Sequence, residues 1–495
     1  MGIFDNVKRK NAKHSTKNFY FGSVEAEGET KSGQSTLDYF DDYLGILNNL
    51  EQGRFIFTGR KGVGKSAIAK FIKDKSDSSK DSFATILRLN DFQIHKSIQN
   101  VERASEVMLF EWLILVQLVK LVVKSKRSTF TSEYEKLKKF LDNNSGMVSI
   151  DKYQFNEGLE KTGGEVSFGV LSHAFGGILK KYFDVKVSRA PFYKLLPALK
   201  EIVETVLSFD VNKSIEFWLL FDDLDINFDI KSKEDNERVM ELIRIAKNFN
   251  NELFSKSKAK ILIFLRDDIK NNIITKFPDS AKIFASYEVN INWYPHNSGS
   301  ENIQPLKQLV NRRIQLNFEK YKMPFGIDPW SDLISNDNRS SFKYVLDFTF
   351  YRPRDIITFL TVVSQNEYRI PISYKDQRII LDKYIIQNIK EIKSELSIIF
   401  NDQDKENVFQ KIFPHVLKNP YLTLEQLEAF VSNLTWTADP NYVISLLLDY
   451  SLLVYKNSSG ELFFNYRENS SLDKKGQRMY LTLPKLVYHY YNRLT

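Results

Sequence analysis

The sequence has 495 residues and a net charge of +8, with 42% hydrophobic and 27% charged residues, a composition typical of a globular protein with several domains. The absence of cysteine excludes a disulfide framework and thiolate chemistry, and it favours a cytoplasmic location. The six histidines are scattered, with no pair at the spacing of metal ligands, which gives no support to a histidine-based metal hydrolase.

After an N-terminal lead-in over residues 1–50, residues 51–295 predict an α/β domain with a parallel sheet. Short apolar runs alternate there with longer segments of helical periodicity, which is the pattern of strands joined by crossover helices. The stretch before them, Met1 to Tyr20, is basic and polar and lacks the apolar core of a secretory signal. The predicted strands are Phe55–Phe57, Phe83–Leu89, Ile215–Phe221, Lys260–Leu265 and Tyr287–Trp293.

A long insertion at about residues 92–212 separates the second and third predicted strands. Its apolar stretch from Val107 to Val123 is interrupted by polar residues, so the uncharged run is shorter than the about 20 residues of a membrane span. We therefore predict a buried helix there, a second helix at Leu195–Leu207, and no membrane span. Four aromatic residues are expected either to present a partner surface or to pack the interior of the insertion: Phe110, Trp112, Phe183 and Phe192.

Residues 296–405 predict a helical lid, and residues 406–495 predict a winged-helix domain. In the second region, Thr423 and Gln426 form a capping box that opens a short helix, and an apolar helix is predicted at Tyr442–Leu453. Leu453–Tyr455 and Glu461–Tyr466 then predict a β-hairpin. The helices predicted for the lid are Ile303–Ile314, Phe342–Phe348, Arg354–Ser364 and Arg378–Phe400.

The segment Gly59-Arg60-Lys61-Gly62-Val63-Gly64-Lys65-Ser66 matches the Walker A pattern between a predicted strand and a predicted helix. Its glycines leave the backbone N–H groups free to curl round phosphate oxygens. Lys65 would reach the β- and γ-phosphates, and the Ser66 hydroxyl would bind Mg²⁺. The alternative is a glycine turn with a surface lysine. We assign residues Gly59 through Ala67 to nucleotide binding.

The predicted strand around Trp218 runs into Asp222-Asp223-Leu224-Asp225. A buried strand that delivers carboxylates at its C-terminal end matches a Walker B motif, in which one carboxylate holds Mg²⁺ and the next orients or deprotonates the attacking water. We assign Asp222 to Mg²⁺ and Asp223 to the water. The alternative is an acidic helix N-cap after a core strand.

Arg266 ends the predicted strand at Lys260–Leu265. If that strand lies between the Walker A and Walker B strands, its end faces the γ-phosphate, where Arg266 would sense or stabilise charge as a catalytic residue. The alternative is a salt bridge with Asp267 or Asp268.

These motifs resemble those of the AAA-related and STAND-type ATPases. The Asp222–Asp225 run is similar to the KAP group, and the Gly59–Ser66 segment resembles stand-alone bacterial P-loop ATPases often found beside defence genes. Phe21–Glu27 and Tyr351–Asp355 also fit that last group. The chain departs from these families in its insertion, which has no membrane helices, in its lack of sensor repeats, and in having no glycine two residues before Pro353.

The resemblance implies ATP rather than GTP as the nucleotide. It also implies a role for Arg354 as a contact from the helical region to the nucleotide, against which stands the alternative of an ordinary arginine at a helix start. The biological process that the resemblance implies is antiphage defence. This implication rests on association with the family and not on a mechanism.

We expect a cytoplasmic, Mg²⁺-dependent ATPase whose cycle switches the lid and winged helix and so gates a protein effector or a homo-oligomer. The alternative is an ATP-controlled protein that loads on DNA through its winged helix. Residues 411–495 argue against it, because they carry nine Lys or Arg and seven Asp or Glu residues. A third possibility is a scaffold that binds nucleotide without turnover, against which the Asp222-Asp223 pair argues.

Overall fold

Alternating helices and strands build the first of two units, Gln34–Ile291. The structure is a computed structural model, and it describes residues 15–25, 28, 36–88, 105–127, 129, 131–149, 152–184, 187–226, 228–229, 232–294, 304–335, 341–397, 399–467 and 478–494. The elements of this unit are α1 (Thr36–Tyr39), β1 (Ile56–Gly59), α2 (Lys65–Asp77), β2 (Ser82–Arg88), α3 (Glu106–Ser125), α4 (Ser132–Asn143), α5 (Lys152–Thr162), β3 (Glu165–Ser167), α6 (Ser172–Leu179), β4 (Arg189–Pro191), α7 (Phe192–Leu207), α8 (Asp210–Lys213), β5 (Glu216–Asp222), α9 (Lys233–Asn248), β6 (Lys258–Arg266), α10 (Asp267–Lys276), α11 (Ser280–Tyr287) and β7 (Glu288–Asn290).

Five strands form one parallel sheet in the order β2-β5-β6-β1-β7. Strand β6 therefore lies between β1, which leads into the glycine loop, and β5, which ends at Asp222. The prediction of a parallel α/β sheet with an additional strand between these two is confirmed. Gly59 pairs in register with Arg266, and Arg88 pairs with Asp222, so the loops that follow these strands leave the sheet at one edge.

The sheet forms because its central strands are apolar on both faces, as buried parallel strands are. Phe217, Leu219 and Phe221 of β5 are fully buried, and so are their neighbours in β6. Helix α2 packs across β1, β2, β5 and β6, and α3 packs on β2 and β5. The sheet is thus covered by the helix that starts at the glycine loop and by the first helix of the insertion.

The predicted buried helix at Val107–Val123 is confirmed as α3. Among the residues that the structure describes, no helix is long and apolar enough to cross a membrane. The Trp112 ring is fully buried, lies 5.8 Å from the Phe192 ring between centroids, and donates its indole N–H to the Met147 carbonyl at 2.8 Å. Phe110 is buried as well. These aromatic residues therefore pack the interior, the second of the two possibilities considered, while Phe183 is half-buried against Phe168.

The second unit combines residues 1–33 with residues 292–495. Its elements are α12 (Pro305–Lys320), α13 (Pro329–Leu333), α14 (Ser341–Leu346), α15 (Pro353–Ser364), α16 (Tyr374–Leu396), α17 (Asp402–Glu406), α18 (Phe413–Lys418), α19 (Leu424–Ser432), α20 (Pro440–Asp449), β8 (Val454–Asn457), β9 (Leu462–Phe463), β10 (Met479–Thr482) and α21 (Lys485–Leu494). Its N-terminal segment is held by α12, since Arg313 donates to the Phe21 carbonyl at 2.7 Å.

The C-terminal part of this unit contains the predicted capping box at Thr423 and Gln426 and the predicted hairpin, β8 with β9. A third strand, β10, pairs with β8 in antiparallel fashion and was not predicted. Leu481 of β10 also donates its N–H to the Leu422 carbonyl at 2.7 Å, just before α19 begins. The sheet is therefore tied to the first of the two helices that precede it.

Candidate functional site

The glycine loop between β1 and α2 has a backbone that requires glycine at two positions. Gly62 and Gly64 have φ angles of 87° and 99°, in the left-handed region that other residues rarely adopt. A Cβ on Gly59 would lie 2.7 Å from Val63 Cγ2 and 3.1 Å from the Ile291 carbonyl oxygen, so a larger residue would clash with the Val63 side chain and crowd the Ile291 backbone. The loop delivers the chain directly into α2, whose first-turn N–H groups can bind an anion.

The Lys65 side chain folds back over the start of this loop. Its Nζ donates to the carbonyl oxygens of Gly59 at 2.8 Å and Arg60 at 3.1 Å. Burial lowers the pKa of Lys65 to about 8, against the opposing charge of Asp267. The ammonium group is thus half-buried and bonded to neutral acceptors, which phosphate oxygens could replace with stronger, charge-assisted bonds.

Ser66 and Asp222 meet at the edge of the sheet, where the Ser66 hydroxyl donates to the Asp222 carboxylate. The Asp222 side chain is buried, and burial, with the charge of Asp223, raises its pKa to about 6. A hydroxyl and a carboxylate are hard oxygen ligands of the kind that Mg²⁺ prefers, with phosphate and water oxygens completing its shell. These residues fit the ion, although no cluster of three or more ligating side chains exists among the described residues.

Asp223 lies beside this pair but turns towards β2. Its φ angle is 54°, and its Oδ2 lies 3.1 Å from Nε of Arg88, the last residue of β2. Sequence reasoning missed Arg88, because the pairing of β2 with β5 that brings it to this edge joins residues far apart in the chain.

Arg266 forms ion pairs with two carboxylates. Its Nη1 lies 2.8 Å from Asp225 Oδ2, and its Nη2 lies 2.6 Å from Asp268 Oδ2. The salt bridge with Asp268 is the alternative that the sequence left open, whereas the contact with Asp225 was not anticipated. Burial raises the pKa of Asp225, but the charge and hydrogen bond of Arg266, together with a backbone hydrogen bond and the charge of Lys65, outweigh this and the net pKa shift is downward.

A cluster of polar side chains around Thr58, beside the loop, was also not predicted from the sequence. Asn290 of β7 donates to Thr58 Oγ1 at 3.2 Å and to Asp267 Oδ1 at 3.4 Å, and Glu288 binds both Thr58 and Lys270. Asp267 and Asp268 were equally possible partners of Arg266 from the sequence alone. In the structure Asp268 pairs with Arg266, whereas Asp267 is bonded to Asn290.

Arg354 belongs to the second unit, as the second residue of α15, and its Nη1 donates to Glu395 at 3.2 Å. The neighbouring Arg352 is more deeply buried and binds Asp355 with distances of 2.7 and 3.1 Å. Asp355 also accepts the Phe350 N–H at 2.9 Å, so this pair shapes the turn before α15. The first unit therefore brings together the predicted residues from Gly59 to Ala67 with Asp222, Asp223 and Arg266, while Arg354 lies in a separate ion pair.

Comparison with known proteins gives two similarities. The FunZ-associated C-terminal helical domain matches residues 304–370, a segment that is helical here from α12 to α15. The chain is also 23% identical over 457 residues to the "Putative transposon gamma-delta 80.3 kDa protein" of Escherichia coli (strain K12), covering 86% of this chain and 59% of that protein. It thus spans less than two thirds of the length of this relative. No solved structure matches the chain.

Proposed function

We propose that this chain binds and hydrolyses Mg·ATP and acts as a P-loop switch of the AAA-related or STAND-like type. The observation that carries the proposal is the glycine loop with a half-buried Lys65 at its end, bonded back to the loop backbone, and Ser66 bonded to Asp222. The strand order supports it too, because one additional strand separates the loop strand from the acidic strand.

Each residue has a chemical part in this proposal. Lys65 would exchange its bonds to two carbonyl oxygens for bonds to phosphate oxygens. Ser66 and Asp222 would hold Mg²⁺, which withdraws charge from the phosphates when bound. Asp223 would separate from Arg88 and would then orient the attacking water or accept its proton.

The helical and C-terminal regions would change arrangement with the nucleotide state and so act on a partner. In this proposal residues 296–405 act as a lid, residues 406–495 act as a winged helix, and Arg354 carries the nucleotide state to them. The partner would be a protein effector or further copies of this chain. A role in antiphage defence rests on the family resemblance alone.

The test is the comparison of the wild-type chain with Lys65→Ala, using labelled ATP and phosphate release with and without Mg²⁺. We expect the wild type to bind ATP and release phosphate only with Mg²⁺, and the variant to lose binding because the phosphates lose the charge that the loop provides. Equal ATP affinity of both proteins would refute the assignment of the loop. Binding without phosphate release would favour the nucleotide-binding scaffold.

A second candidate is an ATP-controlled DNA-binding protein. Its support is the name of the Escherichia coli relative, which refers to a transposon, together with the hairpin β8–β9. Against it, the exposed residues of α20 include no lysine or arginine: they are Asn441, Ser445 and Asp449. Binding to DNA that weakens steeply with rising salt would favour this candidate.

A further inference from the structure

The carboxylates around the glycine loop differ in whether a cation pairs with them. Asp223 pairs with Arg88 at 3.1 Å, and Arg266 pairs with Asp225 and Asp268 at 2.8 and 2.6 Å. Asp267 differs from them, because no lysine or arginine in the described part of the chain forms an ion pair with it. A carboxylate without a direct counter-charge therefore remains at this edge of the sheet.

Asp267 and the Lys65 ammonium group both lie just beyond the C-terminal ends of β1 and β6. Asp267 directly follows Arg266, the register partner of Gly59, and Lys65 donates to the Gly59 carbonyl at 2.8 Å. Among the charges that act on Lys65, that of Asp267 is the strongest. Burial raises the pKa of Asp267, with Lys65 as the main opposing charge. Lys65 is thus the cation that lowers the pKa of Asp267 most, although the two side chains form no ion pair.

The Asp267 carboxylate is contacted from the neighbouring part of the sheet. The Asn290 amide donates to Asp267 Oδ1 at 3.4 Å and to Thr58 Oγ1 at 3.2 Å, which links the carboxylate to β7 and β1. Thr58 is fully buried, so this anchor belongs to the core of the sheet. The Asp267 carboxylate is half-buried, and this contact orients it towards the side of the sheet that carries the loop.

From this arrangement, and resting on the function proposed above, we infer that Asp267 makes the site select ATP that carries Mg²⁺ over metal-free ATP. When Lys65 binds phosphate oxygens, its positive charge is shared between the phosphates and Asp267. The negative charge of Asp267 is then compensated less and repels the phosphates. Metal-free ATP brings more negative charge than its magnesium complex, so Asp267 repels it more strongly. Two unit charges within about 10 Å of each other near a protein surface change affinities by about tenfold or more.

The experiment is calorimetric titration of the full chain with ATP, once in excess Mg²⁺ and once in EDTA. We expect the wild type to bind metal-free ATP about tenfold or more weakly than Mg·ATP. In Asp267→Asn, which keeps the shape and removes the charge, metal-free ATP should bind more tightly, and the ratio of the two affinities should fall to about threefold or less. Asp267→Glu restores the charge and should restore the larger ratio.

The matched control is Asp74→Asn, which removes an equal charge from the helix that follows the loop, where Asp74 pairs with Lys70. It should keep the wild-type ratio, and unchanged thermal melting without ligand should show that each variant folds. If the wild type binds metal-free ATP as tightly as Mg·ATP, or if Asp267→Asn keeps the wild-type ratio, the inference is wrong while the proposed function stands. A wild type that binds neither form refutes the proposed function itself.

Discussion

Arg88 and Asp223 form an ion pair across the edge of the sheet, with Nε 3.1 Å from Oδ2. Both side chains are partly open to solvent, at 43% and 31% exposure, and an ion pair of this kind contributes about 1 kcal/mol or less. The pair therefore holds Asp223 in place without binding it tightly. An acid that is positioned in this way can be released towards a substrate at small cost.

Asp223→Asn should separate ATP binding from hydrolysis. In the proposed function, the amide keeps the shape of the side chain but could not accept the proton of the attacking water, while Asp222 would still hold Mg²⁺. We expect near-normal ATP affinity and a turnover lowered by about two orders of magnitude, measured by titration and by phosphate release. Asp225→Asn is the comparison. Normal turnover in Asp223→Asn, combined with inactivity of Asp225→Asn, would show that the acidic motif acts in a different register.

Arg266→Ala should lower the turnover more than the affinity for ATP. The guanidinium group lies at the end of β6, next to the strand that leads into the loop. In the proposed function, charge would develop there on the transferred phosphate. A loss of about tenfold or more in phosphate release at saturating ATP is expected. Asp268→Asn removes one ion pair but keeps the arginine, so it should retain most of the activity. Equal losses in both variants would mean that Arg266 acts through the ion pairs alone.

Arg354 and Glu395 can be tested against each other, since they are partners at 3.2 Å. If Arg354 contacts the nucleotide during the cycle, Arg354→Ala should reduce turnover severalfold, whereas Glu395→Gln should leave it nearly unchanged or raise it by freeing the arginine. Steady-state phosphate release with both variants gives the answer. Similar defects in the two variants, with matching losses of thermal stability, would assign Arg354 a structural part in α15 instead.

Local patterns were enough to predict the loop, the acidic strand end and the buried helix at Val107–Val123. The loop needs glycines at fixed spacing, and a strand buried on both faces needs a continuous apolar run, so both leave clear traces in the sequence. Arg88 and Asn290 could not be found in this way, and Asp267 was named only as a possible partner of Arg266. They reach the site only through strand pairing between distant segments, and a single arginine, aspartate or asparagine at a strand end has no distinctive local pattern.

Asp355→Ala should destabilise the second unit strongly. Its carboxylate is fully buried and binds both Arg352 and the Phe350 N–H, so its removal leaves a buried guanidinium without its partner. Breaking such a pair costs about 3–5 kcal/mol. Thermal melting followed by circular dichroism should show a clear drop for this variant. Asp347→Ala, which removes a surface partner of Lys343 and Lys485, should cost about 1 kcal/mol or less for each pair, and equal effects of the two changes would contradict this account.

The insertion should serve a partner or self-assembly, with little effect on the chemistry at the loop. Helix α3 covers the sheet, but α4 adds to it a surface on which Lys138 and Lys139 are exposed and Lys136 is half-buried. Reversing these three charges to glutamate should leave basal ATP turnover unchanged, because the side chains lie on an element that the parallel sheet does not need for its crossover. The oligomer peak in size-exclusion chromatography, or co-purification of the partner, should be lost.

The control is an equal charge reversal at three exposed lysines outside the insertion, Lys233, Lys256 and Lys276. A general effect of charge on solubility or association would appear in both triple variants, whereas a specific surface on α4 would be affected in one alone. Assembly lost equally in both would remove the reason to assign a partner to the insertion. A collapse of basal turnover in the α4 variant, with thermal melting unchanged, would instead place this helix in the catalytic machinery, because only a contribution to the site could slow hydrolysis in a chain that still folds.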